Sequence, residues 1–391
     1  MRGLGPISLA LAAVAAALFT SEARADTMDP ALNRFVLVNA NNPDCRTSGP
    51  GGGVYYNPIS GYARCTPDHA RWGNLVAQYG AALAPSAMHA ARTTGYGGLE
   101  LSLEADFTSI DNGKSYWKDG TQGPQDPSSK EFSDSGDPDP VIQVYLLKIR
   151  KGLPFGFELT GNVGYVARTS IVVGGADIRW SIFEGFRTGI PAVFPELAVG
   201  GSVRTITGAE QMQLTVVGAD AQLSKPFAIS GSVVFTPYMG YQYLRIFGDS
   251  GLIDLTPNTD PTAHCNHQGT NTPASPDQTK FVDQNGNGTA DPGEYYHDGQ
   301  PVCGQNPNAG TDPDAPTNSA DFNNNVVFNP VRLNRHRLGG GFNLRFQVVQ
   351  FGAHFITDVV DVAAANKDQD TFDFSDVGRQ WTLSFSLGAM L

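Results

Sequence analysis

The chain has 391 residues, 38 acidic against 26 basic side chains for a formal charge of −12, and four cysteines. So acidic a protein is a poor match for a phosphate backbone, which argues against nucleic acid as a partner. Mean hydropathy is −0.22, and no apolar run of about 18 or more residues follows the first 25, so a helical membrane span is excluded.

Met1 to Ala25 carries Arg2, an apolar stretch from Ile7 to Phe19, and Ala23-Arg24-Ala25. A basic start, a short apolar core and an A-x-A site predict a cleaved secretory signal peptide (residues 1–25), so the protein is exported. Residues 26–95 form an N-terminal segment. Within it, Trp72, Leu75, Val76, Tyr79 and Leu83 recur at helical spacing behind Asp68, a suitable N-cap, and Pro85 ends the run. This predicts a short helix over Asp68–Ala84. It is too small to hold a core of its own, so its apolar stripe docks elsewhere: as a plug in the barrel described next, or on its periplasmic rim.

From residue 96 the pattern changes to a period of two. Ten strands are predicted, at about 97–109, 140–151, 155–168, 170–183, 196–207, 211–224, 228–247, 326–347, 349–362 and 379–391. In the first, leucines alternate with Glu100, Ser102, Glu104 and Asp106. Later, Leu338, Phe342, Leu344, Phe346 and Val348 alternate with Arg337, Asn343 and Arg345. Residues 211–224 support either parity. The last strand sets Trp381, Leu383, Phe385, Leu387, Ala389 and Leu391 on one face and Thr382, Ser384, Ser386 and Gly388 on the other. One apolar and one small polar face, at a length that crosses a bilayer with tilt, point to a membrane strand.

These features together resemble a bacterial outer-membrane β-barrel of the porin-like class. The resemblance implies an all-β, antiparallel, up-and-down transmembrane barrel of about ten strands over residues 96–391, or twelve if the N-terminal segment adds a hairpin. Its location would be the bacterial outer membrane, with outer-membrane lipid as a partner. Such barrels put long loops outside and tight turns in the periplasm. The 110–139, 248–325 and 363–378 loops then lie outside, the Lys151–Pro154 and Gln347–Gln350 turns lie inside, and both termini are periplasmic. Aromatics along the strands (Tyr165, Trp180, Tyr241, Tyr243, Phe351, Phe355 and Trp381) suit interface girdles. Glu100, Glu104, Asp106, Glu158 and Asp177 would face the lumen together with Lys148, Arg150, Arg179, Arg204, Arg337 and Arg345. That reads as a salt-bridged interior or as a narrow solute path.

The 248–325 loop carries most of the negative charge of the chain. Within it, Asp283-Gln-Asn285-Gly-Asn287-Gly288-Thr289-Ala-Asp291-Pro-Gly-Glu294 resembles an EF-hand calcium loop of the kind in dockerin-like repeats. The resemblance implies oxygen ligands from Asp283, Asn285, Asn287, Thr289, Asp291 and Glu294, with Gly288 at the sharp turn and calcium held weakly. The cysteines fall in two local pairs, Cys45 with Cys65 and Cys265 with Cys303, and an even count in an exported chain predicts disulfides. On this topology the first pair is periplasmic and the second extracellular. His264, His267 and His297 near the second pair leave a zinc site open as the alternative, at a spacing that fits no standard pattern.

Enzymatic readings are weighed against the barrel enzymes. Omptin-type proteases carry an Asp-x-His pair, and this sequence has none. Asp137-Pro-Asp139 is an acidic pair without a base. Outer-membrane phospholipases use a Ser/His pair; His354 faces inward, with no serine evidently beside it. The sequence therefore predicts no enzyme. It predicts a barrel displaying an acidic, disulfide-bridged, calcium-binding loop, with a narrow or gated channel as the alternative and a protease or lipase as the remote one. The extracellular ligand or solute is not legible.

Overall fold

The computed structural model describes residues 28–37, 66–86, 89–125, 132–134, 138–182, 194–230, 232–255, 266–267, 301–302, 325–368 and 371–390. Its main body is one antiparallel sheet closed on itself. The strands are β1 (Leu99–Ser109), β2 (Val141–Gly152), β3 (Phe157–Val166), β4 (Val172–Ser181), β5 (Glu196–Thr207), β6 (Met212–Ser224), β7 (Val233–Ser250), β8 (Val331–Phe346), β9 (Val349–Asp358) and β10 (Trp381–Met390). Each pairs with its neighbour in sequence, and β10 pairs back onto β1 from Thr382↔Thr108 to Met390↔Glu100. Closure leaves no unpaired sheet edge. The barrel therefore has ten strands. The N-terminal region does contribute a pairing, Val36–Leu37 with Thr66–Pro67, but it forms a separate two-stranded piece outside the barrel sheet.

Alternation fixes which side chains face where. Along β1, Glu100, Ser102, Glu104, Asp106 and Thr108 are buried, while the residues between them face outward. The outward face is apolar and bare: Leu159, Ile178, Val203, Val217, Leu338 and Leu387 are all more than 40 % exposed. Aromatic pairs mark two levels on it. Phe157 stacks on Trp180 at 5.8 Å toward the tight-turn end, and Tyr145 meets Tyr165 at 5.5 Å toward the long-loop end. A water-soluble monomer rarely leaves so continuous an apolar belt uncovered.

The interior is not empty. Helix α1 (His69–Ala82) lies in the lumen at the end carrying the long connections, and Asp68 caps it by accepting the Arg71 N–H at 3.1 Å. From Leu83 the chain continues down the lumen without regular structure. It emerges at the tight-turn end, where Gly97 N–H meets the Gly152 carbonyl at 3.3 Å, and enters β1. The N-terminal segment thus threads the barrel from one mouth to the other. Of the two dockings open to the predicted helix, the structure adopts the plug.

Candidate functional site

The lumen and the segment that fills it are the site, and their two halves are built differently. In the long-loop half, Trp72, Leu75, Val76 and Tyr79 of α1 are fully buried against Ile142 and Val144 of β2, Leu214 and Val216 of β6, Leu244 and Ile246 of β7, and Leu333 of β8. The fit is close enough to require glycine. A Cβ on Gly80 would sit 2.5 Å from Ile246 Cγ2, and one on Gly73 would sit 2.5 Å from the Phe372 ring. One polar side chain locks this half. Gln78, wholly buried, donates to Asp111 Oδ2 at 2.5 Å, and its Oε1 accepts from Trp117 Nε1 at 2.6 Å and from the Asp111 N–H at 2.9 Å. That ties α1 to the 110–121 connection and its short helix α2 (Ser115–Lys118). Burial and the adjacent Asp111 carboxylate raise the Tyr116 hydroxyl above its ordinary range. At the rim, partial burial holds His69 below the ordinary histidine value, against the pull of Asp68. A neutral ring suits its Nδ1, which accepts the Asn329 N–H at 3.2 Å.

Cations from the wall meet the end of the helix. Arg335 Nη2 donates to the Ala77 carbonyl at 2.9 Å, Arg204 Nη1 to Ala84 O at 2.8 Å, Gln242 Nε2 to Pro85 O at 2.9 Å and Lys148 Nζ to Ser86 O at 2.8 Å. Ala77 lies inside the helix and Ala84 to Ser86 beyond it; Arg337 Nη1, 3.5 Å from Ala81 O, meets a last-turn carbonyl, where partial negative charge suits a guanidinium. Below them the wall is ionic. Lys148 pairs with Glu104 at 3.0 Å and Arg150 with Glu100 at 2.8 Å and with Glu158 at 2.9 Å; Arg335 pairs with Asp358 higher up, beside the helix. The plug joins this network: Arg92 pairs with Glu196 at 2.6 Å, His89 Nδ1 lies 2.7 Å from Arg179 Nη1, and the Thr94 N–H donates to Glu158 at 2.8 Å.

What space remains is small. A cavity of about 10 Å³ at mid-height is lined by Asp106, Gln242, Arg337, His354 and Ser384 among others. Cavities of that size accommodate about one water. Nearer the tight-turn mouth, Arg92, Arg150 and Arg345 border a vestibule of about 50 Å³. No continuous passage is apparent among the described residues.

Every charged lumen residue predicted from parity faces inward, Asp177 and Arg345 with partial exposure. The sequence missed what those charges hold. They were expected to bridge one another across the wall; they also bind the backbone of the plug. The serine thought absent beside His354 is present as well. Strand pairing sets Ser384 directly across from His354, with Asp106 on its other side. These groups line the small cavity at mid-height, and their adjacency alone assigns no reaction. Asp139 of the acidic pair is bound to Arg168 at 2.6 Å. The placement of the N-terminus is corrected: Met28–Val36 packs at the long-loop end, so the segment does not begin on the tight-turn side. The signal peptide, all four cysteines (Cys45, Cys65, Cys265, Cys303), His264, His297 and the calcium motif (Asp283, Asn285, Asn287, Thr289, Asp291, Glu294) lie outside the described residues. Among the described residues no cluster of three or more His, Cys, Asp or Glu could hold a metal.

The fold and its contents define a closed ten-stranded antiparallel barrel with a self-supplied plug. No protein-family model matches the sequence, and no curated protein does. Among solved structures, Ail, the attachment invasion locus protein of Yersinia pestis, aligns over 76 % of this chain and 99 % of its own, at 7 % identity and a TM-score of 0.23 in its complex with the heparin analogue sucrose octasulfate. A mutant of the monoaromatic hydrocarbon channel TodX aligns over 76 % and 90 %, at 7 % identity and a TM-score of 0.16. OpdL of Pseudomonas aeruginosa aligns over 68 % and 66 %, at 11 % identity and 0.11. Likenesses this loose carry no functional argument; the fold rests on its own hydrogen-bond ladder.

Proposed function

We propose that this protein is a non-enzymatic, integral outer-membrane barrel, stoppered by its own N-terminal segment, that displays the acidic 248–325 loop at the cell surface. Calcium held by Asp283, Asn285, Asn287, Thr289, Asp291 and Glu294, together with a Cys265–Cys303 disulfide, would give that loop its shape. The observation that carries this reading is the pairing of a bare apolar outer belt with a filled lumen. The belt needs lipid, and the filled lumen leaves the outer surface as the working part. The test is single-channel recording of the refolded protein in a planar bilayer, first with calcium and then with chelator. Silence in both conditions is expected, and calcium should increase the protease resistance of residues 249–325. Discrete openings would replace this reading with a channel, and calcium-dependent openings would make the loop its gate.

A second reading, a gated channel for small solutes, draws on the polar vestibule by Arg345 and on a plug held only by non-covalent contacts. Deleting residues 26–85 should raise conductance if the plug is what blocks the path. An unchanged conductance in a folded deletion variant would count against a path through the lumen.

A further inference from the structure

The direction in which the N-terminal segment threads the barrel decides where the start of the mature chain lies. Met28 N–H donates to Arg168 O at 3.1 Å in the β3–β4 turn, and Leu32 N–H donates to Gln211 Oε1 at 2.7 Å in the β5–β6 turn. Phe35 sits edge-on to Phe328, 6.3 Å between centroids, in the β7–β8 connection. All three partners belong to the long-loop end, whereas Gly97 and Gly98 bond to Gly152 at the opposite mouth. The pairing of Val36–Leu37 with Thr66–Pro67 adds a second constraint. Thr66–Pro67 lies at the same rim as Val36–Leu37.

We propose that Met28–Leu37 is displayed on the cell surface, with the chain threaded outward-first through the barrel. The inference rests on the outer-membrane reading above, which sets the long-loop end outside. It also sets an order of assembly. The lumen around the segment is filled, so Met28–Leu37 has no passage through an already closed barrel. The segment must be in place before the β1–β10 seam forms. A plug continuous with β1 at one mouth and anchored among the loops at the other is not withdrawn into the periplasm in a gating cycle.

Cysteine accessibility in intact cells tests this. Four single variants of the full chain are made: Leu37→Cys, 46 % exposed at the proposed outer rim; Val327→Cys, 58 % exposed in the β7–β8 connection; and Tyr96→Cys and Phe155→Cys, 83 % and 90 % exposed at the tight-turn end. Each is treated with a membrane-impermeant maleimide before and after the outer membrane is permeabilised, with the unsubstituted protein as the baseline. The expected result is that Leu37→Cys and Val327→Cys label on intact cells, while Tyr96→Cys and Phe155→Cys label only after permeabilisation. Labelling of Leu37→Cys only after permeabilisation, with Val327→Cys labelled throughout, overturns the proposal and leaves the outer-membrane reading intact. Labelling of Phe155→Cys but not Val327→Cys on intact cells overturns the surface placement together with the assumed orientation. Since Leu37 and Val327 are surface positions, each variant is expected to fold, and the heat-dependent gel shift of a closed barrel checks that it has.

Discussion

The two halves of the lumen are filled by the same stretch of chain and solve the same problem in opposite ways. At the long-loop end the filler is a helix, whose N–H and C=O groups satisfy one another, so the wall facing it is free to be apolar: Val144, Val216, Leu244, Ile246 and Leu333. From Leu83 onward the chain is irregular, and its backbone groups have no partners of their own. Buried backbone groups left unpaired are costly, so the wall there must supply donors and acceptors. It does so with Arg204 on Ala84 O, Gln242 on Pro85 O, Lys148 on Ser86 O, Gln222 on His89 N–H, Ser224 on Ala91 N–H and Glu158 on Thr94 N–H. Most of the change in wall chemistry falls at the end of the helix, while Arg335 and Arg337, bonded to Ala77 O and Ala81 O, reach up beside it. Lumen polarity in this barrel follows the hydrogen-bonding needs of its plug, which a water-filled pore would not require.

The largest expected effects separate the halves by their response to a swap that conserves volume. Leu75→Met replaces one apolar side chain by another in the helix half and should cost less than about 1.5 kcal/mol. Arg150→Met, in the ionic half, strips Glu100 and Glu158 of the cation they share, both at sites almost without exposure. Breaking a buried pair from one side leaves an uncompensated charge, so the loss should be about 3–5 kcal/mol. Urea titration of both variants in detergent micelles measures the difference. Equal losses would mean that the distinction between the halves has no energetic content.

A smaller effect tests Gln78, the buried polar side chain that ties the helix to the 110–121 connection. Gln78→Leu keeps the approximate shape but leaves Trp117 Nε1–H and the Asp111 N–H without their acceptor. An unsatisfied buried donor costs about 1–3 kcal/mol. The loss should also appear as faster amide exchange at Asp111, since its N–H acceptor is gone. A stability change without local exchange would point to packing instead.

What could be read from the sequence follows the same division. Ten strands, their approximate limits and most inward-facing charges were legible, because one apolar face against one polar face gives a clean period of two; the buried Asp220, Arg335 and Asp358 were not among those named. Strand β6 was ambiguous for a physical reason. Its inward face is Met212, Leu214 and Val216 where α1 docks and Asp220, Gln222 and Ser224 below, so no single parity is polar throughout. Helix α1 and its Asp68 cap were legible from local spacing alone. The path of the plug was not, because nothing local says through which mouth a segment enters. Likewise the row His354, Ser384, Asp106 exists only through the register between β9, β10 and β1, and register is a property of pairs of strands.

The smallest effect concerns an ion pair with the chemistry of the lumen pairs but none of their burial. Arg379 Nε and Asp361 Oδ1 lie 2.7 Å apart on the long-loop side, with more than half of each side chain exposed. The hydrogen bond and charge of Arg379 hold the Asp361 carboxyl below its ordinary range. A depressed carboxylate contributes stability that is present above its unfolded value, near about 3.9, and is lost as pH falls through the lower folded value. At neutral pH the pair is therefore fully formed, yet both groups already have water as an alternative partner, and exposed pairs typically contribute little. Arg379→Gln should leave the melting temperature at pH 7 unchanged within error and return the titration midpoint of Asp361 toward the ordinary value, read from its side-chain carboxyl resonance. A large melting shift at pH 7 would show that exposure is not what separates this pair from Arg150 and Glu100. The weight of the inner half would then have to come from charge alone, since the unpaired backbone that burial forces on the wall would have no part in it.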